Sequence, residues 1–310
     1  MRALVVGGNG FIGSTLVLRL LSEGYRVRVL DRGTPRSDVD WGGIEYQRGD
    51  LTDPVTLDHA VADTDIVFHL ASTTVPGTSN LDPHSDVTSN LLGTLNLLAS
   101  MRRVGVRRLV FLSSGGTVYG NAVASPVSED APLNPISSYG VVKVAIEKYL
   151  NMYASLGEIS PLIIRPANPY GPRQSVSGQQ GAIAVFLGKA LRGEPIEIWG
   201  DGTVVRDYVY VDDLVDMVAM AVSAGATGTF NAGSGSGYSL RAVCDAIQKV
   251  CGAPLRISYR EARKFDVRSI VLDITAAGKA FGWSPGTGLE EGLRRTWRNL
   301  VDTRPQILEQ

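Results

Sequence analysis

Two clusters in this 310-residue chain have residue types and spacings that imply chemistry. The first is Val5-Val6-Gly7-Gly8-Asn9-Gly10-Phe11-Ile12-Gly13, where Gly7, Gly10 and Gly13 recur every third residue and Gly8, Gly10 and Gly13 also satisfy G-x-G-x-x-G. Between an apolar run and an amphipathic one, such glycines permit a tight strand-to-helix turn, close backbone approach to a pyrophosphate, and close helix–strand packing. The helix start then offers N–H groups and a partial positive charge to the phosphates. A glycine cluster alone is also what a plain strand-to-helix turn looks like, but Asp31 adds context. It ends the next apolar run, 18 residues past Gly13, where a carboxylate can accept hydrogen bonds from both hydroxyls of a ribose and repel a 2′-phosphate. That order predicts a dinucleotide site preferring NAD to NADP; Arg32 beside Asp31 weakens the preference without reversing it. The second cluster is Tyr139 and Lys143, four residues apart and so on one face of a helix. A phenol with its usual pKa of about 10 is a poor base at neutral pH. A nearby ammonium and the positive charge of an oxidised nicotinamide would favour the phenolate. The pair then supplies a general base for a substrate hydroxyl, an effect of roughly 10²–10⁴-fold. Alone, Tyr-x-x-x-Lys is more often a solvated helix face; after a dinucleotide-binding pattern it gains meaning.

These residues need elements to position them. Strand-like runs occur at Ala3–Val6, Arg26–Leu30, Ile44–Arg48, Ile66–His69, Arg108–Leu112 and Leu162–Arg165, with helix-like stretches between them at Ile12–Glu23, Leu57–Val61, Val87–Val104 and Tyr139–Ser155. Short strands alternating with helices predict parallel βαβ units in a doubly wound α/β sheet. Farther on, Leu191–Tyr210 is rich in Gly, Pro and Asp with two strand-like pieces, and residues 212–224, 239–251 and 289–301 read as helices. No internal repeat or clear linker appears, so a second lobe is expected to pack on the first and leave a cleft.

Composition narrows the function classes. Thirty basic against 31 acidic side chains give a formal charge of −1, so there is no overall pull towards nucleic acid or an anionic membrane. Hydrophobic residues make up 44%, too many for a disordered chain. No apolar run approaches the ~18 residues of a membrane span, and the start of the chain lacks a signal-peptide pattern, which predicts a cytoplasmic protein. Cys244 and Cys251 are the only cysteines, too few for a disulfide framework or a structural zinc site, and they suit core thiols better than a redox couple. The histidines have no metal-ligand spacing, and no metal is expected. The 35 glycines exceed the usual ~7% share without any collagen-like period, so individual glycines should mark turns or close contacts.

Read in order, further blocks join the two clusters: Gly49-Asp50-Leu51-Thr52-Asp53, His69-Leu70-Ala71, Asn90-Leu91-Leu92-Gly93-Thr94, Ser113-Ser114-Gly115-Gly116-Thr117-Val118-Tyr119-Gly120, Arg165-Pro166-Ala167-Asn168-Pro169-Tyr170-Gly171, Ile198-Trp199-Gly200-Asp201-Gly202, Arg206-Asp207-Tyr208 and Val211-Asp212-Asp213. With these the chain resembles an extended short-chain dehydrogenase/reductase of the nucleotide-sugar epimerase/dehydratase branch, over nearly its whole length. The resemblance implies a Rossmann domain over residues 1–172, with 212–229 packing back onto it, and a smaller α/β nucleotide-sugar-binding domain from 173–211 and 230–310. It implies that Asp50 and Leu51 flank the adenine, that Leu70 and Ala71 lie along the cofactor and that Pro166 sits near the nicotinamide. Phe11, Ile12, Ser72 and Asn90 complete the cofactor set. On the substrate side, Asn168, Arg206 and Arg263 would contact a nucleotide diphosphate, a task the planar fork of arginine suits. Tyr208 and Asp266 accompany them. Taken singly, Arg206 also reads as a surface charge and Asn168 as a turn residue; Trp199 either packs against a base or fills the domain interface.

The chain departs from the family pattern at Gly115, where a catalytic Ser or Thr is usual. Ser114 and Thr117 are the candidates to supply the hydroxyl; in an extended segment Thr117 would share the side of Gly115 and Ser114 would face away. Family dehydratases carry an Asp-Glu pair at the positions of Gly116 and Thr117, so dehydration is not expected. C4 epimerisation needs only that Tyr139 take a hydroxyl proton while hydride passes to NAD⁺, that the 4-keto sugar turn, and that hydride return to its other face. An open pocket lined by Gly115 and Gly116 would leave room for the turn. The family's size-gating position falls on Ile270, intermediate between residues that admit N-acetylated sugars and those that do not. The expectation is therefore an NAD-dependent 4-epimerase of a nucleotide sugar, with a UDP-sugar the leading substrate class. The resemblance also implies a homodimer through the helices Val87–Val104 and Tyr139–Ser155, whose apolar faces are equally consistent with burial inside one subunit. The alternatives are reduction or decarboxylation of such sugars, or a cofactor-binding regulator that has lost catalysis.

Overall fold

A computed structural model describes residues 1–122, 124–177, 181–261 and 267–303. In β1 (Arg2–Val6), Ala3 and Val5 enter one apolar cluster and Leu4 and Val6 another, all four buried. Period-two alternation with both faces apolar is the pattern of a parallel strand covered on both sides. The chain continues through α1 (Phe11–Ser22), β2 (Arg26–Asp31), β3 (Glu45–Arg48), α2 (Pro54–Val61) and β4 (Ile66–His69). It then enters α3 (Pro83–Asp86), which passes through a π-helical turn (Val87–Leu92) into α4 (Gly93–Val104). β5 (Arg108–Leu112), α5 (Ser138–Ser155) and β6 (Ser160–Pro166) follow. Helix starts are set by caps rather than by apolar spacing. Asp53 accepts from the Val55 N–H, so α2 begins at Pro54, and Ser137 accepts from the Gly140 N–H at the start of α5.

The rest comprises β7 (Asn168–Tyr170), α6 (Ala182–Arg192), β8 (Ile196–Trp199), β9 (Val205–Tyr210), α7 (Val211–Ser223), β10 (Gly228–Ala232), β11 (Gly237–Ser239), α8 (Leu240–Cys251), β12 (Ile257–Arg260), β13 (Ser269–Ile270), α9 (Thr275–Phe281) and α10 (Leu289–Asp302). Seven strands form one parallel sheet in the order β10-β6-β5-β4-β1-β2-β3. This is the doubly wound sheet expected, with one strand more than the apolar runs predict. The added β10, Gly-Thr-Phe-Asn-Ala, lacks a continuous apolar run and pairs with β6 from Gly228↔Leu162 to Ala232↔Pro166. The apolar face of α1 meets α7 on one side of the sheet, while α2, α4 and α5 cover the other.

Strand order reverses between β1 and β4, so the chain leaves their carboxyl ends in diverging directions and opens a crevice there. The smaller lobe faces that crevice. Its β9 pairs with β7 and β13 in parallel and with β11 antiparallel, β8 pairs with β12, and α6, α8 and α10 close a separate apolar cluster. Cys244 is buried in that cluster with Cys251 at its margin, both as free thiols. Among the described residues no helix is long and apolar enough to cross a membrane.

A buried polar network fastens the lobes together. Arg165 at the end of β6 makes a two-pronged ion pair with Glu147 on α5, at 2.6 and 3.1 Å, and donates to the Tyr119 hydroxyl and the Glu129 carbonyl. Tyr119 donates to Asn231 on β10, which reaches the carbonyls of Val127 and Asp273. Val127 in turn exchanges backbone hydrogen bonds with Val271 and Asp273. Removing one member of such a pair leaves an uncompensated buried charge. Arg165→Met is expected to destabilise the protein by about 3–5 kcal/mol in urea unfolding, and combining it with Glu147→Met should recover much of that loss.

Candidate active site

The crevice holds two adjoining cavities, of about 490 Å³ and about 280 Å³. Gly7, Gly10, Phe11, Ile12 and Gly13 line the larger, and Asp31, Arg32, Asp50, Leu51 and Ala71 the smaller, with Gly7, Gly10, Leu70 and Ser72 shared. Two glycines are fixed by close approach. A Cβ on Gly13 would lie 2.1 Å from the Gly7 carbonyl oxygen, and Gly7 itself sits at φ +84° with the Ala71 backbone alongside. No side chain caps the N-terminus of α1, so its first turn keeps free N–H groups towards the larger cavity. Asp31 is held at the rim of the smaller one by the N–H groups of Asn9 at 3.1 Å and Gly33 at 3.0 Å. Arg32 lies 3.6 Å from the Asp50 carboxylate across the same rim. An uncapped helix start beside a ribose-binding carboxylate fits a dinucleotide: α1 and the glycine loop would hold the pyrophosphate, and Asp31 the adenosine ribose.

Tyr139 and Lys143 both reach the larger cavity from α5. Their relation differs from the one spacing suggests. The Lys143 ammonium donates to the Leu112 carbonyl at 2.8 Å and stands 5.5 Å from the centre of the Tyr139 ring. Burial pushes the phenol up to about 12, the negative charge of Asp86 acts in the same direction, and a hydrogen bond with Ser114 pulls the other way. Burial lowers Lys143 to about 8, while Glu147 and Asp86 help to keep it charged. Lys143 therefore does not by itself make the phenol a base, because desolvation of both groups dominates.

The segment after β5 is a turn rather than an extended strand: the N–H groups of Thr117 and Val118 both point to the Ser114 carbonyl. Alternation therefore does not apply, and Ser114 and Thr117 both line the cavity. The Thr117 hydroxyl is buried with no hydrogen-bond partner. Gly116 lines the cavity, but Gly115 does not. A Cβ on Gly115 would meet Leu272 of the main core at 2.5 Å and the Arg165 carbonyl at 2.9 Å, so this glycine packs against the core rather than leaving a gap in the pocket.

On the far wall, Pro166, Asn168 and Arg206 line the cavity, with the Asn168 amide donating to the Asp207 carbonyl at 2.9 Å. Other expected contacts lie elsewhere. Tyr208 is buried in the small-lobe core against Tyr170, and Trp199 is 41% exposed at the end of β8; neither lines either of these two cavities. Ile270 is buried in the main core, and Val267, three residues earlier, takes the place on the wall. Asn90 also lies behind the wall. Its side-chain carbonyl accepts the Thr73 N–H at 2.9 Å and its amide reaches Thr74 and Asp86. Arg263 and Asp266 lie outside the described residues. Thr74, Val75, Pro76, Gly77, Ile136 and Gln174 complete the wall without any motif in the sequence to mark them.

Comparison with known proteins gives the same picture. The model of the NAD dependent epimerase/dehydratase family matches residues 3–233. The chain is 42% identical to a UDP-glucose 4-epimerase of Mycolicibacterium smegmatis, over 96% of this chain and 97% of that one. It superposes on the UDP-glucose 4-epimerase of Thermus thermophilus in complex with NAD at a TM-score of 0.92, with 36% identity, covering 97% of this chain and 99% of the other. The UDP-glucose 4-epimerase of Thermotoga maritima with UDP-glucose gives a TM-score of 0.91 and 35% identity, covering 98% and 100%.

The packing at Gly115 leads to a counter-intuitive expectation. Gly115→Ser, which restores the family's usual residue type, should lower the melting temperature, at a cost of about 1–3 kcal/mol for overpacking, and leave catalysis no faster. Differential scanning calorimetry alongside turnover checks it, and a stable, faster variant would contradict it.

Proposed function

The chain belongs to the NAD dependent epimerase/dehydratase family, and from that premise we propose that it inverts C4 of a nucleotide-diphosphate sugar through a 4-keto intermediate. The similar UDP-glucose 4-epimerases support a UDP-sugar as substrate. The observation that carries this reading is the make-up of the wall. Tyr139 and Ser114 are among several hydroxyl-bearing residues that line the cavity, and among the described residues no Asp or Glu lines it. Elimination of water across a sugar ring calls for a carboxyl acid–base pair, whereas epimerisation needs only one group to take and return a proton.

When bound, NAD supplies an acceptor for the C4 hydride and a positive ring charge beside the phenol. Tyr139 takes the C4 hydroxyl proton and later gives it back. Ser114, which lines the cavity beside that phenol, holds the same sugar oxygen, and Thr117 backs it with a hydroxyl that is buried without a partner. Lys143, anchored on the Leu112 carbonyl, keeps a positive charge beside the phenol ring. Asn168 and Arg206 hold the nucleotide while the sugar turns.

We further propose that the enzyme works as a two-fold dimer. Val87 and Leu92 on the π turn, and Val141, Tyr149 and Met152 on α5, are each between 38% and 53% exposed. Their opposite faces already cover the sheet, so a second copy is the natural cover for this outer face.

Incubation with UDP-glucose, UDP-GlcNAc and UDP-glucuronate, followed by NMR, should yield a C4 epimer from at least one of them. A pentose product or net reduction would replace this reading with a decarboxylase or a reductase, and NAD binding without turnover across a broad panel would leave a regulator. Tyr139→Phe should abolish turnover while retaining NAD, and Ser114→Ala should lower kcat by about 10²–10³-fold. Near-normal Tyr139→Phe activity would overturn the mechanism. Combining Tyr149→Glu with Met152→Glu should convert a dimer to a monomer in sedimentation velocity.

A further inference from the structure

Asp86 is a completely buried carboxylate at the junction of α3 and the π turn. No ion pair satisfies it among the described residues; three donors do. Its Oδ1 accepts from the Thr74 hydroxyl at 2.8 Å and the Asn90 amide at 2.8 Å, and its Oδ2 accepts from the Ser138 hydroxyl at 2.7 Å. Thr74 belongs to the loop that walls the cavity, and Ser138 immediately precedes Tyr139. Two neighbours tie down the same corner. Asn80 accepts the Ser138 N–H at 2.7 Å, and the Ser79 hydroxyl accepts the Tyr139 N–H at 3.1 Å. On the loop side, Asn90 holds the Thr73 N–H and the Thr74 hydroxyl. Burying a carboxylate without a cation is costly unless its lone pairs are filled. Here two of the three donors, Thr74 and Ser138, lie on or next to segments that line the cavity, and the carboxylate directly precedes a π turn, an arrangement frequent at functional sites.

We propose that Asp86 is a positioning residue that clamps the wall loop, residues 73–77, to the first turn of the helix carrying Tyr139, so that seating a sugar against the loop and aiming the base are one event. The inference rests on the epimerase reading for its catalytic consequence but not for the clamp itself. Among the described residues, the one side-chain bridge from Thr74 to the first turn of the helix runs through this carboxylate, alongside the Ser79 and Asn80 contacts, and its charge also reaches both Tyr139 and Lys143. Asparagine preserves the geometry: its oxygen can accept from Thr74 and Asn90, and its amide can donate to a rotated Ser138 hydroxyl. Alanine removes all three contacts.

The test pairs hydrogen exchange with kinetics on the full-length chain. In Asp86→Ala, amide exchange should speed up together in residues 73–77 and 138–141, and kcat should fall by about 10²-fold, the loss a small misplacement of a reacting group brings. Asp86→Asn should restore both to near wild type. Exchange confined to residues 83–92, with kcat unchanged below the melting temperature, would overturn the clamp. If Asp86→Ala does not fold, Thr74→Val and Ser138→Ala each cut one arm. Each should loosen the segment on the other side, and a purely local effect in both would sink the idea. The exchange readout needs no turnover, so absence of epimerisation in the wild-type protein would refute the proposed function and leave the clamp to be judged separately.

Discussion

An ammonium group enclosed away from water is the constraint around which the centre of this fold is arranged. Lys143 is buried at the sheet surface, fixed by one hydrogen bond to the Leu112 carbonyl and bordered by the rings of Phe111 and Tyr139. Burial alone would strip its proton. What opposes that is negative charge placed behind it, from Glu147 one turn farther along α5 and from Asp86 beyond the π turn. Each carboxylate in turn needs partners. Glu147 finds Arg165 and the Ser113 hydroxyl; Asp86 finds hydroxyls and an amide. His69, equally enclosed and beside the same ammonium, is driven down to about 3 and stays neutral, with its Nε2 against the Thr94 hydroxyl. The buried polar groups thus form a chain of obligations that starts at one lysine.

That chain also explains why the two lobes meet where they do. Arg165 uses one edge of its guanidinium on Glu147 and the other on Tyr119 and the Glu129 carbonyl, so the base helix and the segment under the small lobe share a cation. Asn231 accepts from Tyr119 and donates to Val127 and Asp273, carrying the connection to the strand edge from which the small lobe hangs. Neighbouring hydrogen bonds in such a network polarise one another.

Most of the cofactor half was legible in the sequence because its logic is local. Strand, glycines, helix and Asp31 lie within about thirty residues, and Gly10 and Gly13 answer to the backbone of Gly7 a few residues away, although Gly7 itself packs on the distant Ala71 backbone. The substrate half was read less well because its logic is not local. Gly115 looked like a lost side chain, yet a Cβ there would run into Leu272, which lies more than 150 residues away in the chain. Tyr208 looked like a ligand contact in a charged motif, but strand alternation turned it into the aromatic core with Tyr170. Asp86 carried no signal at all; its meaning comes from Ser138, which chain folding brings to it from 52 residues away. Strand β10 escaped notice because it is paired on one side only and needs few apolar residues.

That edge strand has a consequence for how the polypeptide is made. The sheet runs through six strands by Pro166, yet its seventh place is filled by residues 228–232, after some sixty residues spent elsewhere. Until they leave the ribosome, β6 is an open sheet edge, and Tyr119 lacks the Asn231 acceptor it will use. Unpaired edges invite association with other chains. The cofactor-binding sheet therefore gains its last strand only as the second lobe is being synthesised. The two halves differ in chemistry, but in assembly they are one unit.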